Sequence, residues 1–136
     1  MRQLDRDGVA LYYEEAGEGE PPIFLVHGWC CDHTYFAPQF EHFAERGHRV
    51  VAVDLRGHGE SDKPDQRYAM QDFANDLAWM CLRLELAKPV VVGHSMGGIV
   101  AFDLATRYPD LPSSVVMLDA AVVLCPPPPA RPSQAS

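Results

Sequence analysis

The stretch Pro89-Val90-Val91-Val92-Gly93-His94-Ser95-Met96-Gly97-Gly98-Ile99-Val100 decides the fold. A short β-branched run meets Gly-x-Ser-x-Gly, and small and apolar residues follow at helix-compatible spacing. The pattern describes a strand driving into a tight turn, with Ser95 at the apex and a helix leaving. Only small residues at 93, 97 and 98 let the two backbones come so close, and glycine tolerates the dihedrals of such a turn. The turn lifts Ser95 clear of the sheet and sets it at a helix N-terminus, where backbone N–H groups can hold negative charge. It reads as a nucleophile elbow.

Outward from the elbow, strands and helices alternate. Upstream, Asp7-Gly8 is a two-residue hairpin signal between strands at 2–6 and 9–16. Ile23-Phe24-Leu25-Val26 is a continuous apolar run, as a buried parallel strand requires, and it ends in the turn His27-Gly28-Trp29. Helical spacing covers Tyr35 to Glu45, with Phe36, Phe40, Phe43 and Ala44 on one face and Gly47 as the stop. A second buried strand runs from Arg49 to Leu55, and a loop follows over Arg56–Pro64. Phe73, Leu77, Met80 or Cys81, and Leu84 stripe a helix from Met70 to Ala87. Downstream, a helix spans about Met96 to Arg107, and Val115-Val116-Met117-Leu118 is a last strand closing on Asp119. The predicted fold is α/β: a mostly parallel sheet of about six strands, its first hairpin antiparallel, with helices on both faces.

With 136 residues the chain has room for one domain, expected over 1–124, followed by a Pro-rich tail at 125–136 with four consecutive prolines. Nineteen acidic residues against eleven basic give a net charge of −8, which argues against a nucleic-acid surface. The N-terminus is too polar for a secretory signal, and the run Val115–Cys125 is too short to span a bilayer. The expectation is a cytoplasmic protein that engages no membrane. Cys30-Cys31-Asp32-His33 has no second Cys/His pair at zinc-ligand spacing, so the four cysteines read as reduced thiols and neither metal nor cofactor is expected.

A serine hydroxyl attacks well only when a base takes its proton and donors meet the oxyanion. Ser95 is the candidate nucleophile. The N–H of Met96, heading the helix, is one candidate oxyanion donor, and Trp29 after His27-Gly28 is placed to offer the second. Three segments now stand in order: His27-Gly28-Trp29, the loop Asp54-Leu55-Arg56-Gly57-His58-Gly59-Glu60-Ser61-Asp62-Lys63-Pro64, and Gly93-His94-Ser95-Met96-Gly97-Gly98. With them the chain resembles the α/β-hydrolase family over about residues 5–124, in particular its small esterase, lactonase and cofactor-free haloperoxidase-like members. The resemblance implies Ser95 as nucleophile, the N–H groups of Trp29 and Met96 as oxyanion hole, and a more structural role for the Asp54–Pro64 loop.

The family's triad continues with an acid and then a histidine near the C-terminus, but no histidine follows Ser95. The resemblance therefore implies an N-terminal half, without the last two strands and the cap. Asp119 is the candidate acid. His27 and His58 lie on loops at the strands' C-terminal ends and are the candidate bases. His94 neighbours the serine, but adjacent positions at a strand end point to opposite faces. A last strand left at the sheet edge invites pairing with a second copy, so a homo-oligomer is expected.

Two readings stand side by side. One is a serine hydrolase acting on a small-molecule ester or lactone through an acyl-enzyme at Ser95, with a non-standard or missing base. The other is a catalytically weak or inactive oligomeric module for interaction or ligand binding. Gly93, Ser95 and Gly98 also fall at G-x-G-x-x-G spacing. Serine in the middle place, where a pyrophosphate would pass closest, argues against dinucleotide binding.

Overall fold

A computed structural model describes residues 2–120. The Pro-rich tail and Cys125 lie outside them. The elements run β1 (Arg2–Arg6), β2 (Val9–Ala16), β3 (Ile23–Val26), a 3-10 turn (His33–Phe36), α1 (Ala37–Glu45), β4 (Val50–Val53), α2 (Met70–Arg83), β5 (Val90–His94), α3 (Met96–Arg107) and β6 (Ser114–Leu118). The six strands form one sheet in the order β1-β2-β4-β3-β5-β6. β4, β3, β5 and β6 are mutually parallel, whereas β1 and β2 pair antiparallel and β2 pairs antiparallel with β4.

The hairpin forms as its turn residues predict: Asp7 and Gly8 both take positive φ, 49° and 86°, the pair that joins twisted strands without splaying them. β3 and β4 are buried at every position, so helices must cover both of their faces. On one face Phe24, Val26, Val51, Val53 and Val91 meet Phe73, Leu77 and Met80 of α2 and Val100 and Leu104 of α3. On the other, Ile23, Leu25, Val50 and Ala52 lie beneath Phe36 and the apolar stripe of α1.

Two helix ends differ from the sequence expectation. Helical spacing from Tyr35 resolves into a 3-10 turn, capped by the Asp32 side chain on Thr34 N–H, and then α1 with proline in its first turn. Proline has no N–H to give to a preceding carbonyl, so the regular helix restarts there. α2 stops at Arg83 because Glu85 takes φ 54° and Leu86 N–H reaches back to the Cys81 carbonyl at 2.9 Å. That closure is a Schellman-type end built without glycine.

Candidate active site

The elbow is made by three glycines and one strained serine. Ser95 sits at φ 55° and ψ −120°, directly ahead of α3. A Cβ on Gly93 would stand 2.2 Å from the Gly97 carbonyl oxygen, and one on Gly97 would stand 2.2 Å from the Val26 carbonyl oxygen. α3 can leave β5 at this angle, across the end of β3, only because those atoms are absent. Ser95 N–H donates to the Leu118 carbonyl at 2.9 Å, and its own carbonyl accepts from Gly98 N–H at 2.9 Å. Both backbone groups of the apex residue are therefore fixed, and only its side chain is free to act.

Gly28 closes over the apex. A Cβ on it would fall 3.3 Å from Ser95 Cβ, so the chain after β3 runs against the Ser95 side chain. His27 orders that chain. It is completely buried; Nδ1 bonds the Gly28 carbonyl at 2.7 Å, and Nε2 accepts Leu55 N–H at 3.0 Å. An acceptor role at Nε2 puts the proton on Nδ1. Burial holds the ring's pKa below its ordinary value, against the smaller upward pull of the Gly28 carbonyl, so the neutral form persists. The Gly28 carbonyl also accepts Cys31 N–H at 3.2 Å. In a trans peptide the N–H points opposite to the C=O, so two donors on the Gly28 oxygen aim Trp29 N–H the other way. The His27 ring thereby sets the orientation of the candidate oxyanion donor. Its lone pair is already engaged and is not available to Ser95.

Asp54, read from sequence only as part of a structural loop, ties two loops of the site together. It is fully buried at the end of β4. Oδ1 accepts His33 N–H at 2.7 Å and lies 2.8 Å from His33 Nδ1, while Oδ2 accepts Glu60 N–H at 2.9 Å. One carboxylate thus ties the loop after β3 to the loop after β4. The signal for it was Gly59: a Cβ there would lie 2.4 Å from the Asp54 carboxylate. Ser61 repeats the device, donating to the Asp54 carbonyl at 2.6 Å and accepting Tyr12 N–H at 2.8 Å. Asp32, His33 and Asp54 bring one ligand-type atom each to within 4.8 Å of one another. Every one of them already serves as a cap or a loop tie.

The remaining candidates spread around the apex. His58 is buried, with Nδ1 on the Arg56 carbonyl at 3.0 Å and its ring packed edge-on to Trp29 at 5.4 Å and beside His27 at 5.2 Å. Trp29 itself is 59% exposed, so its indole faces the open side of the site. Asp119, at φ 51°, is exposed one residue beyond the carbonyl that receives Ser95 N–H. Neither His58 nor Asp119 is joined to Ser95 by a hydrogen bond among the described residues. His94 stacks on Tyr35 at 4.7 Å, and its Nδ1 is buried without a partner among them. A buried polar atom left unpaired costs about 1–3 kcal/mol. Strict alternation would send His94 and Ser95 to opposite sides, and atoms of both side chains lie near Gly28. The point where a Gly28 Cβ would stand lies 3.3 Å from Ser95 Cβ and 3.6 Å from His94 Nδ1. The left-handed φ of Ser95 is what ends the alternation.

A serine raised on a glycine-lined strand–helix turn, at the carboxyl edge of a parallel sheet, defines a class of hydrolytic enzyme core. The chain belongs to the alpha/beta hydrolase fold family, whose model matches residues 21–135. It is 39% identical over 100 residues to the AB hydrolase superfamily protein YisY of Bacillus subtilis, covering 74% of this chain and 37% of that protein. It is 32% identical to bifunctional epoxide hydrolase 2 of Sus scrofa over 118 residues, 85% of this chain and 21% of that protein. Among solved structures, a thermophilic esterase from Thermogutta terrifontis superimposes with TM-score 0.84 at 34% identity, covering 93% of this chain and 48% of the esterase. The chain thus spans less than half the length of each of these relatives. Its relatives are hydrolases, and the fold is theirs.

Proposed function

We propose that this chain carries the nucleophile and oxyanion half of a serine hydrolase acting on carboxylic esters or lactones through an acyl-enzyme at Ser95. The observation that carries the reading is the elbow: a serine at φ 55° with its backbone fixed at both ends, heading a twelve-residue helix. Attack by Oγ on an acyl carbonyl makes an oxyanion beside the N–H groups of Met96 and Trp29, where aligned backbone dipoles favour negative charge. Asp119 is the proposed acid of a proton-handling set.

The same chemistry separates ester from epoxide substrates. Opening an epoxide with Ser95 would leave an ether on the enzyme, which water cannot readily cleave. A carboxylate at the elbow would instead leave an ester, which water can hydrolyse at its carbonyl. Serine at 95 therefore favours acyl substrates over epoxides. The exposed Trp29 and the half-exposed apex suit small, activated esters in an open site.

A second reading, a weakly active or inactive module for binding, is favoured by one fact: none of the ring-nitrogen partners of the described histidines is Ser95. Labelling by a fluorophosphonate separates the two. The acyl-transfer reading expects stoichiometric modification at Ser95 that vanishes in Ser95→Ala, together with loss of p-nitrophenyl acetate turnover. Turnover fully retained in Ser95→Ala would leave only the binding module.

A further inference from the structure

Resting on the acyl-transfer reading, we infer that His58 is a positioning residue: its ring anchors Trp29 and so steadies the oxyanion donor proposed there. The turn that carries this donor is weakly tied. Its one backbone hydrogen bond, from Cys31 N–H to the Gly28 carbonyl at 3.2 Å, passes over Trp29 and Cys30. Cys30 takes φ 60°, a value that favours glycine at the third place of a turn. Neither residue joins the apolar clusters on the two faces of the sheet, and the indole of Trp29 is largely exposed. Held by these contacts alone, the turn would rock and carry the Trp29 N–H with it.

What meets the indole is His58. The two rings stand edge to face, with centroids 5.4 Å apart and planes at 78°, an arrangement that sets the positive edge of one ring on the negative face of the other. His58 is itself fixed. Its backbone N–H donates to the Leu55 carbonyl at 2.9 Å, and its carbonyl accepts Ser61 N–H at 3.1 Å. In the side chain Nδ1–H donates to the Arg56 carbonyl at 3.0 Å. The ring is buried against Phe73 of α2 at 6.1 Å and lies beside His27 at 5.2 Å. His27 in turn bonds the Gly28 carbonyl. One buried imidazole thus reaches both ends of the donor: the indole directly, and the preceding peptide through His27. This role asks for no proton transfer and no contact with substrate.

The test uses the full chain carrying Trp79→Phe, which leaves Trp29 as its only tryptophan. Two further variants divide what His58 does. His58→Phe keeps a ring beside the indole and loses the donor to the Arg56 carbonyl. His58→Asn loses the ring and keeps a side-chain N–H close to the place of Nδ1. Time-resolved fluorescence anisotropy reads how freely the indole turns, fluorophosphonate labelling reads the serine, and circular dichroism shows that each variant is folded. In the parent chain and in His58→Phe the indole is expected to turn only with the whole protein, and the two should label at the same rate. In His58→Asn the indole should rotate fast on its own and labelling should slow roughly tenfold, less than the loss of a whole donor because the N–H is in place part of the time. Trp29→Ala has no indole to hold, so His58→Asn should slow it no further; this cycle keeps the test open should His58→Phe fail to fold.

Three results would each overturn the positioning role and leave Ser95 as nucleophile. One is an indole that turns freely in the parent chain. Another is slow labelling in His58→Phe with the indole still held, which would point to the ring nitrogens, since a phenyl group takes no proton. The third is an indole freed in His58→Asn with labelling unchanged. A parent chain that does not label at Ser95 at all removes the acyl-transfer reading and this inference with it.

Discussion

On the β3–β4 side of Ser95 each loop is tied to a buried group, whereas on the other side β6 has no strand on its outer edge among the described residues. Residues 27–36 are held by the His27 ring, the Asp54 carboxylate and the Asp32 cap. Residues 56–62 are held by Asp54, Ser61 and the Arg56–Asp76 ion pair at 2.8 Å, which also captures Arg6 at 2.7 Å. β6 has its α3 face covered, with Val115 packed against the core, but Val116 and Leu118 on the opposite face are 41% and 38% exposed. The contrast separates two jobs. Most ties that order the backbone around Ser95 lie on the β3–β4 side, with one to β6, from Ser95 N–H to the Leu118 carbonyl. The proposed acid, Asp119, hangs from the less constrained flank.

The largest effect should come from filling the close approach. In Gly97→Ala the new methyl lies 2.2 Å from the Val26 carbonyl oxygen and 2.4 Å from that of His27. Neither oxygen can move without breaking β3, so the variant should lose about 3 kcal/mol or fail to fold. Urea unfolding followed by far-UV circular dichroism measures this; a loss under about 1 kcal/mol would mean that α3 can leave β5 at another angle, and the tight flank would not be tight.

A smaller effect, of known sign, concerns pH. His27 has its pKa lowered chiefly by burial, from an ordinary value of 6.5. Between the folded and unfolded values the unfolded chain binds more protons, so stability rises with pH through that window. The contribution is complete above about pH 6.5 and is lost as pH falls toward the folded value. Melting temperature should therefore decline below pH 6.5, and amide exchange at Trp29 and Cys31 should quicken first. Exchange that quickens in β6 instead would place the acid-labile point on the other flank.

The elbow was legible because its cause is local: small residues at 93, 97 and 98 leave space that only a close crossing explains. The hairpin was legible for the same reason, since Asp7-Gly8 names its own turn. Less local features were hidden. Asp54 is joined to His33 across 21 residues and Arg6 to Asp76 across 70, and no spacing rule links them. The end of α2 was read four residues too late because Glu85 takes a left-handed φ that glycine would have announced. Alternation along β5 extends to His94 and ends at Ser95, where φ turns positive. A regular period carries no information about the residue that breaks it.

The smallest change in stability should accompany the clearest change in assembly. β6 reads Ser-Val-Val-Met-Leu, with none of the lysines, prolines or inward charges that blunt an edge strand. Val116 and Leu118 extend the apolar face that Val90 and Val92 begin beside α1, so a second copy laid along β6 would gain both a backbone ladder and side-chain burial. The chain as given should then show a concentration-dependent rise in mass by light scattering after size exclusion. Val116→Lys places a charge on the exposed face without touching the α3 side, so it should shift the chain toward monomer while changing unfolding free energy by no more than about 0.5 kcal/mol. Fluorophosphonate labelling of Ser95 should be unchanged in that monomer, because the substitution leaves the Leu118 carbonyl that accepts Ser95 N–H in place. A monomeric wild type would show that the β6 edge is not used between copies. An assembly that survives the lysine would move the interface elsewhere. Labelling lost together with assembly would show that the elbow needs more of the open flank than the Leu118 carbonyl, and the division between the two sides of Ser95 would fall.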